Sequence, residues 1–279
     1  MRRNRVRPAL VLAAGLAALV LAGAASAVGP SLPALDQGAS LAGPSGVAYT
    51  TRLVGSSTEV RQRVRGRVAR SLAIAGGFGI QLATLGGSLT GLSPNGRVLV
   101  LSDNVGASQY LRARSRFAVV DTRTMSLVQT IELRGDFSVD ALSPGGDVLY
   151  LIQHVSKSDA TKYQVRAYDL PAHRLLPGVI ADKSQAGWVM AGFPTARVAT
   201  QTGAWVYTLY RQDDNYPFVH ALDTVHHVAV CVGIPANWTN AAWIASARLE
   251  LGSGTLRIET RAGKTRFLVD TRTFRVSTP

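Results

Sequence analysis

The chain has 279 residues, 30 Lys and Arg against 17 Asp and Glu, a formal net charge of +13 and 1 cysteine. A hydrophobic fraction of 47% and a charged fraction of 17% exclude bulk disorder and leave room for one large or two small cores. A lone cysteine excludes an intramolecular disulfide framework.

The first 27 residues carry the three parts of a secretory signal. Arg2, Arg3, Arg5 and Arg7 form a cationic start, Ala9 to Leu21 is apolar apart from Gly15, and Ala25-Ser26-Ala27 is a small-x-small cleavage site. Cleavage is expected after Ala27. The alternative is an uncleaved anchor, disfavoured because a spanning helix needs about 20 apolar residues. Arg2-Arg3 lacks the apolar continuation of a twin-arginine signal, and no cysteine near the cleavage site marks a lipoprotein. Removing the segment leaves a formal charge of +9, carried almost wholly by arginine. Residues 28–46, rich in Gly, Pro, Ser and Ala, read as a flexible linker.

From Val47 onward the chain repeats. Leu92-Ser93-Pro94-Asn95-Gly96 precedes the run Arg97 to Leu101, and fifty residues later Leu142-Ser143-Pro144-Gly145-Gly146 precedes Asp147 to Leu151. Thr202-Gly203 before Ala204 to Leu209 and Ser253-Gly254 before Thr255 to Ile258 are degenerate copies. Each unit has a second half that ends in an aspartate: Asp121, Asp169, Asp223 and Asp270, spaced by 48, 54 and 47. Pro presets φ in the tight turn, and Asn or Gly accepts a positive φ. The aspartate is a turn residue whose carboxylate accepts backbone N–H bonds. A weaker unit precedes these, with strands expected over 47–53, 59–64 and 67–74 and a turn at Arg65-Gly66. Strand, loop, strand, tight turn, strand is a meander, the make-up of a propeller blade. The expectation is an all-β chain, a small β-propeller of about five blades over 47–279. An open array, or a dimer that completes the ring, is the alternative.

Leu-Ser-Pro-Asn-Gly-Arg-Val-Leu-Val at 92–100, with Phe117-Ala-Val-Val-Asp-Thr-Arg-Thr and Leu127-Val-Gln-Thr-Ile, resembles the blade consensus of the YVTN-type β-propellers, relatives of the WD40-like folds. The resemblance runs from about Val47 to the C-terminus and is strongest at 92–133 and 142–180. It implies a fold rather than an activity. The superfamily includes surface-layer proteins, lactonase-like enzymes and protein-binding scaffolds. The Trp-Asp dipeptide of true WD40 repeats is missing, and no lactonase residue carries over.

Gly76-Gly77-Phe78-Gly79 lacks the third glycine of a dinucleotide loop and reads as a bulge or an inter-blade turn. His226 and His227 would face opposite sides of a strand, which is poor geometry for chelation. Asp213-Asp214 lacks the spacing of a calcium loop, and Asn237-Trp238-Thr239 matches a glycosylation sequon. The four tryptophans, Trp188, Trp205, Trp238 and Trp243, read as packing residues, with a sugar-stacking platform as the sharper alternative. Cys231, in an apolar run, reads as a buried, inert thiol.

The arginines are the candidate binding residues. Arg61, Arg63, Arg65 and Arg67 alternate, as do Arg112, Arg114 and Arg116, and period two puts each set on one face of an extended segment. Such a stripe attracts carboxylate or phosphate polymers; its bland role is to blunt a sheet edge. The reading is an exported, non-enzymatic scaffold, secreted or held in the cell envelope, that binds a protein or an anionic envelope polymer. Arg112, Arg114, Arg116, Arg61 and Arg63 are the candidate contacts. No cofactor, metal or nucleic acid is expected, and membrane contact is expected only through an uncleaved signal. The alternative is a hydrolase or lactonase-like enzyme with its site over the central channel.

Overall fold

The computed structural model describes residues 32–104, 111–159, 161–185, 189–212, 216–236 and 242–279. The expected signal segment and the Asn237 sequon lie outside them, as do Asp213, Asp214, Trp188 and Trp238.

The described residues form five antiparallel sheets in chain order, the blades of a small β-propeller. The first blade comprises Val47–Val54, Ser57–Val64 and Arg67–Ala75, edged by Leu41–Ala42. The second comprises Phe78–Leu82, Val98–Asp103, Arg114–Asp121 and Ser126–Arg134, with Ala34–Leu35 and Leu89–Thr90 both pairing Phe78–Leu82. The third runs Asp136–Leu142, Val148–His154, Lys162–Asp169 and Arg174–Leu175. The fourth runs Phe193–Ala199, Trp205–Arg211, Phe218–Asp223 and Val228–Gly233, and the fifth Arg248–Leu251, Thr255–Glu259, Thr265–Asp270 and Val276–Ser277.

The four repeated aspartates do in the structure what their spacing predicts. Asp121 Oδ1 accepts from the Arg123 and Thr124 amides, Asp169 Oδ1 from Ala172, Asp223 Oδ1 from Val225 and His226, and Asp270 Oδ1 from Arg272 and Thr273. Four residues after each aspartate the chain enters the left-handed region without a glycine, at Met125, His173, His227 and Phe274. The carboxylate cap holds a backbone geometry that a side chain ordinarily resists. The Ser-Pro turns close through Gly96 and Gly146, both at positive φ, and their serine hydroxyls accept from Val98 and Val148.

Four apolar clusters join consecutive blades. Tyr49, Val60 and Ile74 meet Phe78, Ile80 and Leu99; Val100, Phe117 and Ile131 meet Phe137, Leu149 and Leu151. Tyr150, Tyr163 and Val165 meet Val206, Tyr210 and Phe218; Leu209, Val219 and Ile244 meet Leu256, Ile258 and Val269. Each fully buried side chain contributes about 1.5–3 kcal/mol relative to exposure. The two outer faces of this series carry ion pairs, with exposed Val54 and Val68 beside them on the first. Arg61 pairs with Glu59 on the first blade, and Arg257 pairs with Glu250 and Glu259 on the fifth. No apolar cluster joins these two faces among the described residues.

Two sequence expectations are corrected here. The stretch read as a linker over 28–46 is part of the sheets from Ala34 on. Ala34 and Leu35 pair Gln81 and Ile80, Leu41 and Ala42 pair Tyr49 and Ala48, and Ala34 and Leu41 are buried. The approach depends on Gly79, where a Cβ would stand 2.6 Å from the Leu35 carbonyl carbon. The second correction is that blades two to five each have a further strand ahead of the three expected ones, which the meander reading lacked: Phe78–Leu82, Asp136–Leu142, Phe193–Ala199 and Arg248–Leu251.

Candidate binding surface

The first blade has two unlike faces, set by strand alternation. Tyr49, Thr51, Thr58, Val60 and Ile74 are buried against the second blade. Gln62 Nε2 fixes that contact, donating to Tyr49 Oη at 3.2 Å and to the Thr122 carbonyl at 3.2 Å. Arg52, Glu59, Arg61 and Arg63 alternate onto the opposite face, in the register Thr50↔Arg61 and Arg52↔Glu59. Arg61 Nη2 lies 2.6 Å from Glu59 Oε2, which holds the Glu59 carboxyl below its ordinary range. Arg63 Nη2 donates to the Gly66 carbonyl, so it braces its own hairpin. Arg52, Arg65, Arg67 and Arg70 are exposed. Between Val47 and Ala75 stand six arginines (52, 61, 63, 65, 67 and 70) and one acid, Glu59. This blade therefore concentrates positive charge in the fold.

The second stripe does not stay together. Arg114 and Arg116 flank buried Ser115, and both side chains are substantially exposed. Arg114 pairs with Glu132 at 2.6 Å, and the Arg116 guanidinium lies 5.6 Å from the Phe78 ring centroid. Arg112 turns inward. Its Nε donates to Asp136 Oδ1 at 2.8 Å, its Nη1 to Asp103 Oδ1 at 3.0 Å, and its Nη2 to the Phe137 carbonyl. With 13% of its side chain exposed, between carboxylates exposed by 4% and 1%, it pins the second blade to the third. Burial raises the Asp103 carboxyl despite Arg112 beside it. Arg112 is thus a structural residue.

The ring axis is bridged by a loop the sequence did not announce. Residues 83–92 leave the innermost strand of the second blade. The amides of Leu85 and Gly86 donate to the Pro194 and Thr195 carbonyls of the fourth blade, and Thr90 Oγ1 donates to the Asp140 carbonyl of the third. Both innermost strands shift register there, between Pro194 and Ala196 and between Val139 and Ala141. The shifts pass over Thr195 and Asp140, whose carbonyls the loop takes up. Gly86 is required, because a Cβ would lie 2.5 Å from the Thr195 oxygen. Alongside, Arg197 pairs with Asp140 at 2.9 Å, both nearly buried. A cavity of about 380 Å³ opens at this turn end, lined by Leu41, Leu89, Leu92, Leu142, Val198 and Val206 with Arg197 beneath.

Between the third and fourth blades lies a titratable cluster of buried His220 and Asp182 with half-buried Cys231. The Cys231 Sγ is 3.8 Å from His220 Nδ1, and Asp182 accepts the Cys231 amide at 3.0 Å. Burial moves the two groups the wrong way for a thiolate–imidazolium pair: the thiol goes up to about 12 and the imidazole down to about 4. The cluster is packing, with Tyr210 stacked between Tyr163 and Phe218. His226 and His227 stand in a turn. His226 Nδ1 lies 2.8 Å from Asp223 Oδ2, and His227 Nδ1 lies 2.5 Å from Tyr150 Oη. Among the described residues no group of three His, Cys, Asp or Glu side chains is placed to hold a metal ion.

No family model matches this chain, and no curated protein matches it in sequence. Solved structures do match in shape. An acylaminoacyl peptidase in complex with Z-Gly-Gly-Phe-chloromethyl ketone superposes with a TM-score of 0.50 at 10% identity, over 87% of this chain and 38% of the peptidase. The Cps50 (Swd1) β-propeller domain of Myceliophteria thermophila gives 0.48 at 14% identity, over 90% of this chain and 71% of that one. Hydrazine synthase of Kuenenia stuttgartiensis gives 0.42 at 13% identity, over 90% and 80%. Likeness at this identity concerns the fold alone.

Proposed function

We propose that this chain is an exported, YVTN-like propeller scaffold that holds an anionic partner, a protein or an envelope polymer, on the arginines of its first blade. The observation that carries the reading is the placement of six arginines and one acid on that blade, with Arg52, Arg65, Arg67 and Arg70 exposed. Guanidinium groups held on rigid strands recognise carboxylate and phosphate through paired N–H donors. Export is read from Arg2 to Ala27, and the exported chain is then expected to begin at Val28. The loop across the axis and the Asp140 partner of Arg197 favour the scaffold over a hydrolase with its site in the channel.

The test is retention of the full chain on immobilised polyglutamate and polyphosphate with elution by rising salt. Arg52→Gln with Arg65→Gln and Arg67→Gln is expected to elute at clearly lower salt, and Arg114→Gln with Arg116→Gln close to the parent. Equal retention of all three proteins would refute the first-blade assignment.

A further inference from the structure

The outer strand of the first blade, Arg67–Ala75, is nine residues long and pairs on one side with Ser57–Val64. Its other side carries no strand among the described residues, and every residue from Arg67 to Ser71 is exposed. The third blade differs: its Lys162–Asp169 strand is covered by Arg174–Leu175, by Met190–Ala191 and by an Ile180 bridge. An open edge offers a row of unpaired backbone donors and acceptors to another chain.

Two features decide what that chain is. Arg67 and Arg70 stand on the strand, Arg63 and Arg65 stand beside it, and the ladder shifts register so that Ala69 is passed over between Arg70 and Val68. Pairing two copies of this edge would set arginine against arginine. Cations and bulges of this kind keep identical edges apart. An acidic strand meets the same cations with the opposite sign. Arg70 Nη1 also donates to the Arg123 carbonyl, so the cationic edge continues onto the second blade.

We propose that the edge Arg67–Ala75 takes an extended, acidic polypeptide segment as an added strand of the first blade. Main-chain hydrogen bonds would give affinity and cross-strand arginine–carboxylate pairs would select the sequence. This rests on the anion-binding reading above and narrows its ligand to a polypeptide.

The experiment titrates the full chain with a peptide of about eight alternating Glu and Val residues, long enough to span a strand. The same peptide with Lys for Glu and a polyphosphate run beside it, and amide hydrogen exchange is followed across 67–75. The expected result is saturable binding of the Glu peptide with slowed exchange on that strand, and none of either with the Lys peptide. Arg67→Gln with Arg70→Gln weakens the Glu peptide roughly tenfold, as two exposed ion pairs allow. Both side chains are exposed and the variant gives up one exposed contact, Arg70 to the Arg123 carbonyl, so it is expected to melt within about 2 °C of the parent. Binding of both polyanions without slowed exchange at 67–75 would overturn strand addition and leave anion binding standing. Binding of neither would refute both.

Discussion

Replacing Arg112 by Met separates a structural arginine from a binding one. The guanidinium satisfies Asp103, Asp136 and the Phe137 carbonyl at once, and both carboxylates are nearly buried. Methionine keeps the apolar stem but takes the guanidinium away from two nearly buried acids, with Arg116 3.9 Å from Asp103 and the residue-112 amide still on Asp136. Removing one partner of a buried pair costs about 3–5 kcal/mol, and the partial exposure of Arg112 argues for the lower end, about 3 kcal/mol. For a domain of this size that is a fall of roughly 6–12 °C in melting temperature. Denaturant unfolding at neutral pH reads it, with Arg114→Gln as the control. Arg114 and Glu132 are exposed, so that change stays within about 0.5 kcal/mol. The pH dependence has a definite sign. Burial raises the Asp103 carboxyl, so its charged form is disfavoured in the folded state. The penalty is present above the folded pKa and is relieved by protonation below it. The gap between Arg112→Met and the parent should therefore narrow as the solution is acidified. An Arg112→Met protein as stable as the parent, or a gap that widens in acid, would refute the pinning role.

Three further outcomes are expected. His220 is buried and titrates near 4 rather than 6.5, with Asp140, Arg197 and Asp182 around it. Its neutral form is favoured by folding, so stability is complete above 6.5 and falls by about 3 kcal/mol as pH drops through that window; His220→Gln should flatten this part of the curve. Cys231, half-buried with its thiol pushed up to about 12, should alkylate far more slowly at neutral pH in the folded chain than in the unfolded one, and rapid stoichiometric labelling of the folded chain would contradict that protection. Gly203→Ala should cost roughly 2–4 kcal/mol, because φ is +73° and the new Cβ would lie 2.0 Å from Pro94 Cγ; Gly254→Ala, at φ +75° in open space, should cost about 1 kcal/mol.

The blades were legible where local chemistry repeats. Asp121, Asp169, Asp223 and Asp270 cap their turns, and Gly96 and Gly146 supply the positive φ that the Ser-Pro turns need. The innermost strands were not legible. Asp136–Leu142 is buried along its whole length, and the strands at Val139 and Pro194 break register, so alternation is lost where it would be read. Short pairings such as Ala34–Leu35 carry too few residues for a pattern. Spacing placed Arg61 and Arg63 on one face and did the same for Arg114 and Arg116. It failed for Arg112, whose partners Asp103 and Asp136 come from two other strands. Period two describes a strand, and Arg112 precedes the strand that begins at Arg114.

The most direct test of the account measures stability and polyglutamate affinity together in two variants of the full chain, Arg112→Met and Arg52→Gln with Arg65→Gln and Arg67→Gln. The first is predicted to lose about 3 kcal/mol of stability and keep its affinity, and the second to lose affinity and keep its stability. An Arg112→Met protein that folds as well as the parent but no longer binds, beside a first-blade variant that binds unchanged, would contradict it.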